Sequence, residues 1–168
     1  YRHASIIKTH AETIGRQAGF DEEEMNILRI SALFHDSGYI TSYERWSEES
    51  VAIATAFLEE YAIDRKTIDR VSEVIAATRI PQTPKDRVAE ALCDADLMYI
   101  TGDGAVEQFD LLYEETALMS SPFEKRSAFE KKWIDFFTQH TFFTEYGRTV
   151  LQPGKEATLQ RLTERMKR

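Results

Sequence analysis

The sequence predicts an all-α fold, and three observations carry that expectation. Apolar residues recur with helical period almost everywhere, and strand-like alternation is nowhere sustained. Seven Gly and four Pro in 168 residues leave material for few turns between long elements. One domain with a substantial core is expected at this length. A composition 42% hydrophobic and 11% aromatic belongs to a globular chain.

The elements follow in order. Ile7, Ala11, Ile14 and Ala18 form a first helical stripe, ended by Gly19. Asp21 with Glu24 three residues on is a capping-box start to a second helix. That helix runs through Met25, Leu28, Ala32 and Leu33 and ends near Asp36-Ser37-Gly38. Ser47 is expected to cap a third helix carrying Val51, Ala54, Leu58 and Tyr61. Asp64, between Ile63 and Ile68 in staple positions, opens a fourth with Val71 and Ile75, which must stop before Pro81. Pro84 restarts the chain into a fifth, Val88 to about Tyr99, broken by Thr101-Gly102-Asp103-Gly104. Further helices are expected over 105–119, 123–138 and 143–151, with Pro153-Gly154 preceding a charged terminal helix. No repeat or linker interrupts the pattern, so 1–168 is read as one domain, with 105–168 its C-terminal helical extension.

Charge and composition narrow the function. A net charge of −8 opposes nucleic acid and anionic membrane surfaces as partners. The single Cys93 cannot form an internal disulfide, so a cytoplasmic location is expected. No apolar run approaches the ~20 residues of a membrane span. The chain starts at Tyr1 rather than Met, so upstream residues are expected.

Two sites stand out as chemistry. His35-Asp36 follows the apolar run Ile30, Ala32, Leu33, Phe34. Burying an imidazole beside a carboxylate is costly unless something pairs with them, and a divalent cation takes both together. In the fifth helix Val88, Leu92, Asp96 and Tyr99 share one face by spacing, which aims Asp96 inward. Asp94 lies roughly 200° around and should point elsewhere, as a supporting group or local acceptor. An aspartate on a core-facing stripe calls for a cation or a hydrogen-bond network. His3 and His10 both lie near the first helix's apolar face. A lone histidine there is a satisfied core residue more often than a ligand, and His140, among aromatic neighbours, is read as structural.

His3, His35-Asp36 and Asp96 resemble, in order and spacing, the HD-domain superfamily of metal-dependent phosphohydrolases. The run Leu33-Phe34-His35-Asp36-Ser37-Gly38-Tyr39 is similar to that family's central motif. The segments 77–84, 92–97 and 140–144 resemble a bacterial subgroup of HD phosphohydrolases. The resemblance implies a single-domain HD-type helical bundle, with His3, His35, Asp36 and Asp96 as metal ligands and His35, Asp36 and Asp96 as the catalytic residues. Its spacing favours His3 over His10. The dinuclear branch adds histidines between the His-Asp pair and the last Asp, and this chain has none there. One divalent ion is therefore expected: Mn, Fe, Co, Ni, Zn or Mg.

Phosphoryl hydrolysis also needs positive groups and a proton carrier. Arg79 and Lys85, flanking Pro81-Gln82-Thr83-Pro84, are the cationic candidates, against a plain role at a helix terminus. Glu44 and Glu48 are acid-base or substrate-binding candidates, against a reading as exposed carboxylates at a helix start. Tyr39, Tyr43 and Trp46 are candidates to stack on a base or sugar, against a reading as core. The expected activity is a phosphohydrolase acting on a small phosphomonoester or phosphodiester, a nucleotide first among them. The alternatives are a catalytically silent HD module that binds metal and a nucleotide-like ligand, and a helical interaction domain whose His-Asp pair merely closes a helix.

Overall fold

The computed structural model describes residues 2–119 and 125–167. It is helical throughout, with no strand among the described residues, as the periodicity predicts. Two compact units are described in turn, Tyr1–Asp96 and Leu97–Arg168. Among the described residues no helix is long and apolar enough to cross a membrane.

The first unit begins with α1 (Arg2–Gln17), which buries Ile7, Ala11 and Ile14 completely or nearly so. It ends in a Schellman motif: Gly19, at φ +67°, lets its N–H reach Arg16 O (3.2 Å) and the next N–H, of Phe20, reach Gly15 O (3.0 Å). Ala18 lies beyond the helix end and is exposed. The expected capping box opens α2 (Glu22–Phe34): Asp21 Oδ1 accepts from Glu24 N (2.9 Å), and Glu24 Oε2 accepts from Asp21 N (3.1 Å). The same Glu24 carboxylate receives the guanidinium of Arg87, whose Nε lies 2.6 Å from Oε1. α1 packs on α2, and Glu12 ties them by accepting from Lys8 (2.9 Å) and from Arg29 of α2 (2.8 Å).

After α2 the chain makes a 3₁₀ turn, Ser37–Ile40, and enters α3 (Trp46–Glu60). Ser47 does not cap this helix. It is buried inside the first turn, while Arg45 stands at the cap with no side-chain capping bond. Ser50 does the anchoring, its Oγ accepting from Gly38 N (2.8 Å). A Cβ on Gly38 would collide with the Trp46 carbonyl oxygen and the Ser50 nitrogen, so only glycine permits this approach. Tyr61 falls past the helix end and is exposed.

Asp64 caps α4 (Arg65–Ala76) as expected, accepting from Thr67 N (3.0 Å). Ile68, Val71, Val74 and Ile75 of α4 are buried, each worth ~1.5–3 kcal/mol of burial. The helix stops at Ala76, ahead of the cis Ile80–Pro81 bond. α5 (Arg87–Asp96) is shorter than expected, with a 3₁₀ turn over Met98–Ile100 beyond it. Tyr99 therefore shares no α-helical stripe with Asp96. Asp94 is fully buried, because α5 is enclosed on nearly every side: Val88, Ala89, Ala91, Leu92, Cys93 and Ala95 are buried too.

The second unit holds α6 (Ala105–Met119) and α7 (Arg126–Gln139). Positions 123 and 124 of the expected seventh helix lie outside the described residues. Pro153-Gly154 does not separate two helices. A π-helical turn, Gly147–Leu151, runs straight into α8 (Gln152–Met166), with Pro153 in the first turn of α8. Phe109, Phe129, Phe137 and Phe142 form the core. Asp110 and Glu130 link Arg126 and Arg165 around it.

Candidate metal centre

Each candidate ligand reaches the site on an element already accounted for. His3 lies in the first turn of α1, His35 caps the end of α2, Asp36 opens the following 3₁₀ turn, and Asp96 ends α5. One donor atom from each lies within 4.8 Å of all the others. His3 Nε2 is 3.2 Å from Asp36 Oδ2 and 3.8 Å from Asp96 Oδ1. His35 Nε2 is 3.3 Å from each of those two oxygens. The two imidazole rings sit 5.5 Å apart.

This spacing fits a cation. An ion ~2.1 Å from each ligand sets neighbouring donors roughly 3–3.5 Å apart. His35 supplies the sharpest test. Its Nδ1 lies 2.9 Å from the Ala32 carbonyl, which fixes the proton there and leaves the Nε2 lone pair facing the carboxylates. That Nε2 is buried and has no hydrogen-bond partner. An orphaned acceptor between two carboxylates calls for a positive occupant.

Protons are drawn to the same place. Hydrogen bonding to Asp36, then Asp96, raises the His3 pKa from 6.5 to about 9 against the opposing effect of burial. Burial alone would lower His35, but Asp36 and Asp96 carry it well above its ordinary value. For Asp36 and Asp96 burial pushes upward, and the two histidines overcome it to hold both carboxyls low. The cluster is asymmetric: the His3 side chain is 50% exposed and that of His35 is enclosed, so solvent reaches it from the His3 side.

The remaining candidates are dispersed. Arg79 and Glu48 meet each other, Nη1 to Oε1 at 2.7 Å on the surface. Lys85 lines a cavity of about 180 Å³ with Glu73, Thr83 and Asp86, which none of the four clustered residues lines. Glu44 is exposed. Tyr39 stacks on Trp46 (5.2 Å, 11° between planes) and touches Tyr43 (5.0 Å). His10 is half-buried and outside the cluster, its pKa lowered by burial and then by His3. His140 contacts Phe136, Phe142 and Phe143, the aromatic setting expected of it.

Three supporting groups went unread in the sequence: the Ala32 carbonyl under His35, Ser50 behind Gly38, and Asp86 at the start of α5. Asp86 Oδ1 accepts from Val88 N (2.8 Å) and Ala89 N (3.1 Å), and Arg70 holds its other oxygen at 2.5 Å. Asp86 alone carried a readable signal, an acid two residues before a buried helical position. Comparison with known families matches the HD domain over residues 1–98. No curated protein and no solved structure matches the chain.

Proposed function

The chain belongs to the HD-domain family, and from that premise we propose that it is a metal-dependent phosphohydrolase. Its substrate is a small phosphomonoester or phosphodiester, with a nucleotide foremost, and His3, Asp36, His35 and Asp96 hold one divalent ion. Residues 105–168 are taken as a helical extension of the same domain. The observation that carries the reading is His35: its Nδ1 is committed to Ala32 O, and its buried Nε2 faces two carboxylates with no donor. A bound divalent ion lowers the pKa of water and polarises a phosphoryl oxygen. The side chains do the rest. Ala32 fixes the His35 tautomer, Asp36 and Asp96 bring the negative charge that retains a cation, and Asp36 exchanges a proton with water while serving as a ligand. The half-exposed His3 side leaves room for substrate.

The test is hydrolysis by the full chain after reconstitution with Mn, Co, Ni or Zn. The panel comprises nucleotides, cyclic nucleotides and sugar phosphates. Turnover by wild type with at least one metal is expected, and its loss in Asp96→Ala. Equal behaviour of the two proteins on every compound overturns the reading.

A second reading, a silent module that binds metal and a nucleotide-like ligand, draws support from one observation. Arg79 is engaged by Glu48, and Lys85 faces a separate cavity, so neither expected phosphate-binding cation stands with the cluster. Saturable nucleotide binding with no turnover under any metal would favour it.

A further inference from the structure

Asp96 is the last residue of α5, so the end of that helix decides where its carboxylate sits. The last carbonyls of an α-helix look outside the helix for donors, and Cys93 stands at the start of the last turn of α5. The Cys93 carbonyl accepts a hydrogen bond from the side-chain amide of Gln82, Nε2 to O at 3.1 Å. Gln82 follows Pro81 in the segment joining α4 to α5. The Cys93 thiol donates to the Ala77 carbonyl at 3.3 Å. Thr83 N–H closes the segment onto that same carbonyl at 3.1 Å. Cys93 is therefore fastened twice to residues 77–83, less than one turn before Asp96. The opposite end of α5 is fixed separately, by Asp86 and Arg70.

The second observation is what Gln82 leaves unmet. Its Oε1 is buried without a hydrogen-bond partner, a costly condition for an acceptor. An apolar side chain of the same length would fill the space without that cost. Packing does not account for an amide here; donation to Cys93 does.

We infer that Gln82 is a positioning residue, whose amide holds the last turn of α5 in the register that aims the Asp96 carboxylate at His3, His35 and Asp36. This rests on the reading of those four residues as metal ligands. Gln82 acts through the helix end and does not touch the ion.

Gln82→Met keeps the length and removes the donor. Gln82→Glu keeps the shape and, at neutral pH, sets a carboxylate against a carbonyl. Cobalt(II) is titrated into the full-length chain and followed by its visible absorption, which reports ligand geometry as well as occupancy. Both variants should bind cobalt ~10-fold more weakly than wild type, as loss of a ligand's support does, with an altered band. Ile68→Val, a buried truncation in α4, should retain the wild-type affinity and spectrum. Wild-type behaviour in both Gln82 variants overturns the role of Gln82 alone. Equal loss in Ile68→Val reduces that role to general stability and overturns it too. A wild-type chain that takes up no cobalt overturns the metal centre, and the inference with it.

Discussion

His35 and His140 both have buried ring nitrogens without hydrogen-bond partners, yet their surroundings are opposite. His35 faces two carboxylates within 3.3 Å, which outweigh burial and raise its pKa. His140 is surrounded by phenylalanine rings. Burial, then the nearby Lys155 ammonium, lowers its pKa to about 4. Lys155 is itself enclosed, donating to the His140 carbonyl and lying 5.7 Å from the centre of the Phe142 ring. The same side chain thus serves two ends. Against carboxylates it completes a cluster whose spacing fits a cation, whereas among rings and a fixed ammonium it excludes one. Burial does not separate a ligand histidine from a packing one; the charge of its neighbours does.

Three experiments sharpen this contrast. The largest effect is expected from Gly38→Ala, because the new methyl meets backbone atoms of α3 that cannot swing away. A loss of about 3 kcal/mol in denaturant stability, the upper range for overpacking, should come with weaker metal binding, since Asp36 leads into that turn. Wild-type stability would show that the turn tolerates displacement.

Next is pH, with a chelator present. The folded pKa of His3 is raised from 6.5 to about 9, so its contribution is complete below pH 6.5 and lost as pH rises through 9. His140 is lowered to about 4, so the fold loses stability as pH falls from 6.5 through 4, where the unfolded imidazole is protonated and the folded one resists. Histidine ring NMR signals followed across both ranges assign each effect. A His140 signal titrating near 6.5 would contradict its enclosure.

The smallest effect is expected from His140→Phe. Replacing two orphaned nitrogens with carbon in an aromatic setting should raise stability by about 1 kcal/mol and leave metal affinity unchanged. A drop in either quantity would mean that the imidazole has a partner or a purpose beyond packing.

The sequence revealed what periodicity and short-range chemistry determine. Val88 and Leu92, about two turns and one turn before Asp96, marked its inward face, and Asp21 with Glu24 marked the start of α2. The HD motif joined His3 to a cluster that its own stripe left open. What escaped depends on contacts between distant segments. Ser47 has the chemistry of a cap, but it is buried inside the first turn of α3, and the bond from the Gly38 backbone goes to Ser50. Spacing turns Asp94 away from Asp96, but its complete enclosure could not be foreseen from its own helix, because the burial comes from the elements packed around α5. Arg79 and Lys85 have the right charge near the right loop, but where a long cation points is decided by its neighbours, Glu48 for one and a separate cavity for the other.

Glu24 has a consequence for the accuracy of the whole centre. One carboxylate closes the beginning of α2 and also receives Arg87 from the beginning of α5, across 63 residues of chain. The rod that delivers His35 and the rod that delivers Asp96 are therefore measured from a common datum. Alignment error does not accumulate along the intervening loops, and a fault at that datum would misplace both deliveries together, so paired substitutions at Glu24 and Arg87 would fall short of the sum of their separate effects.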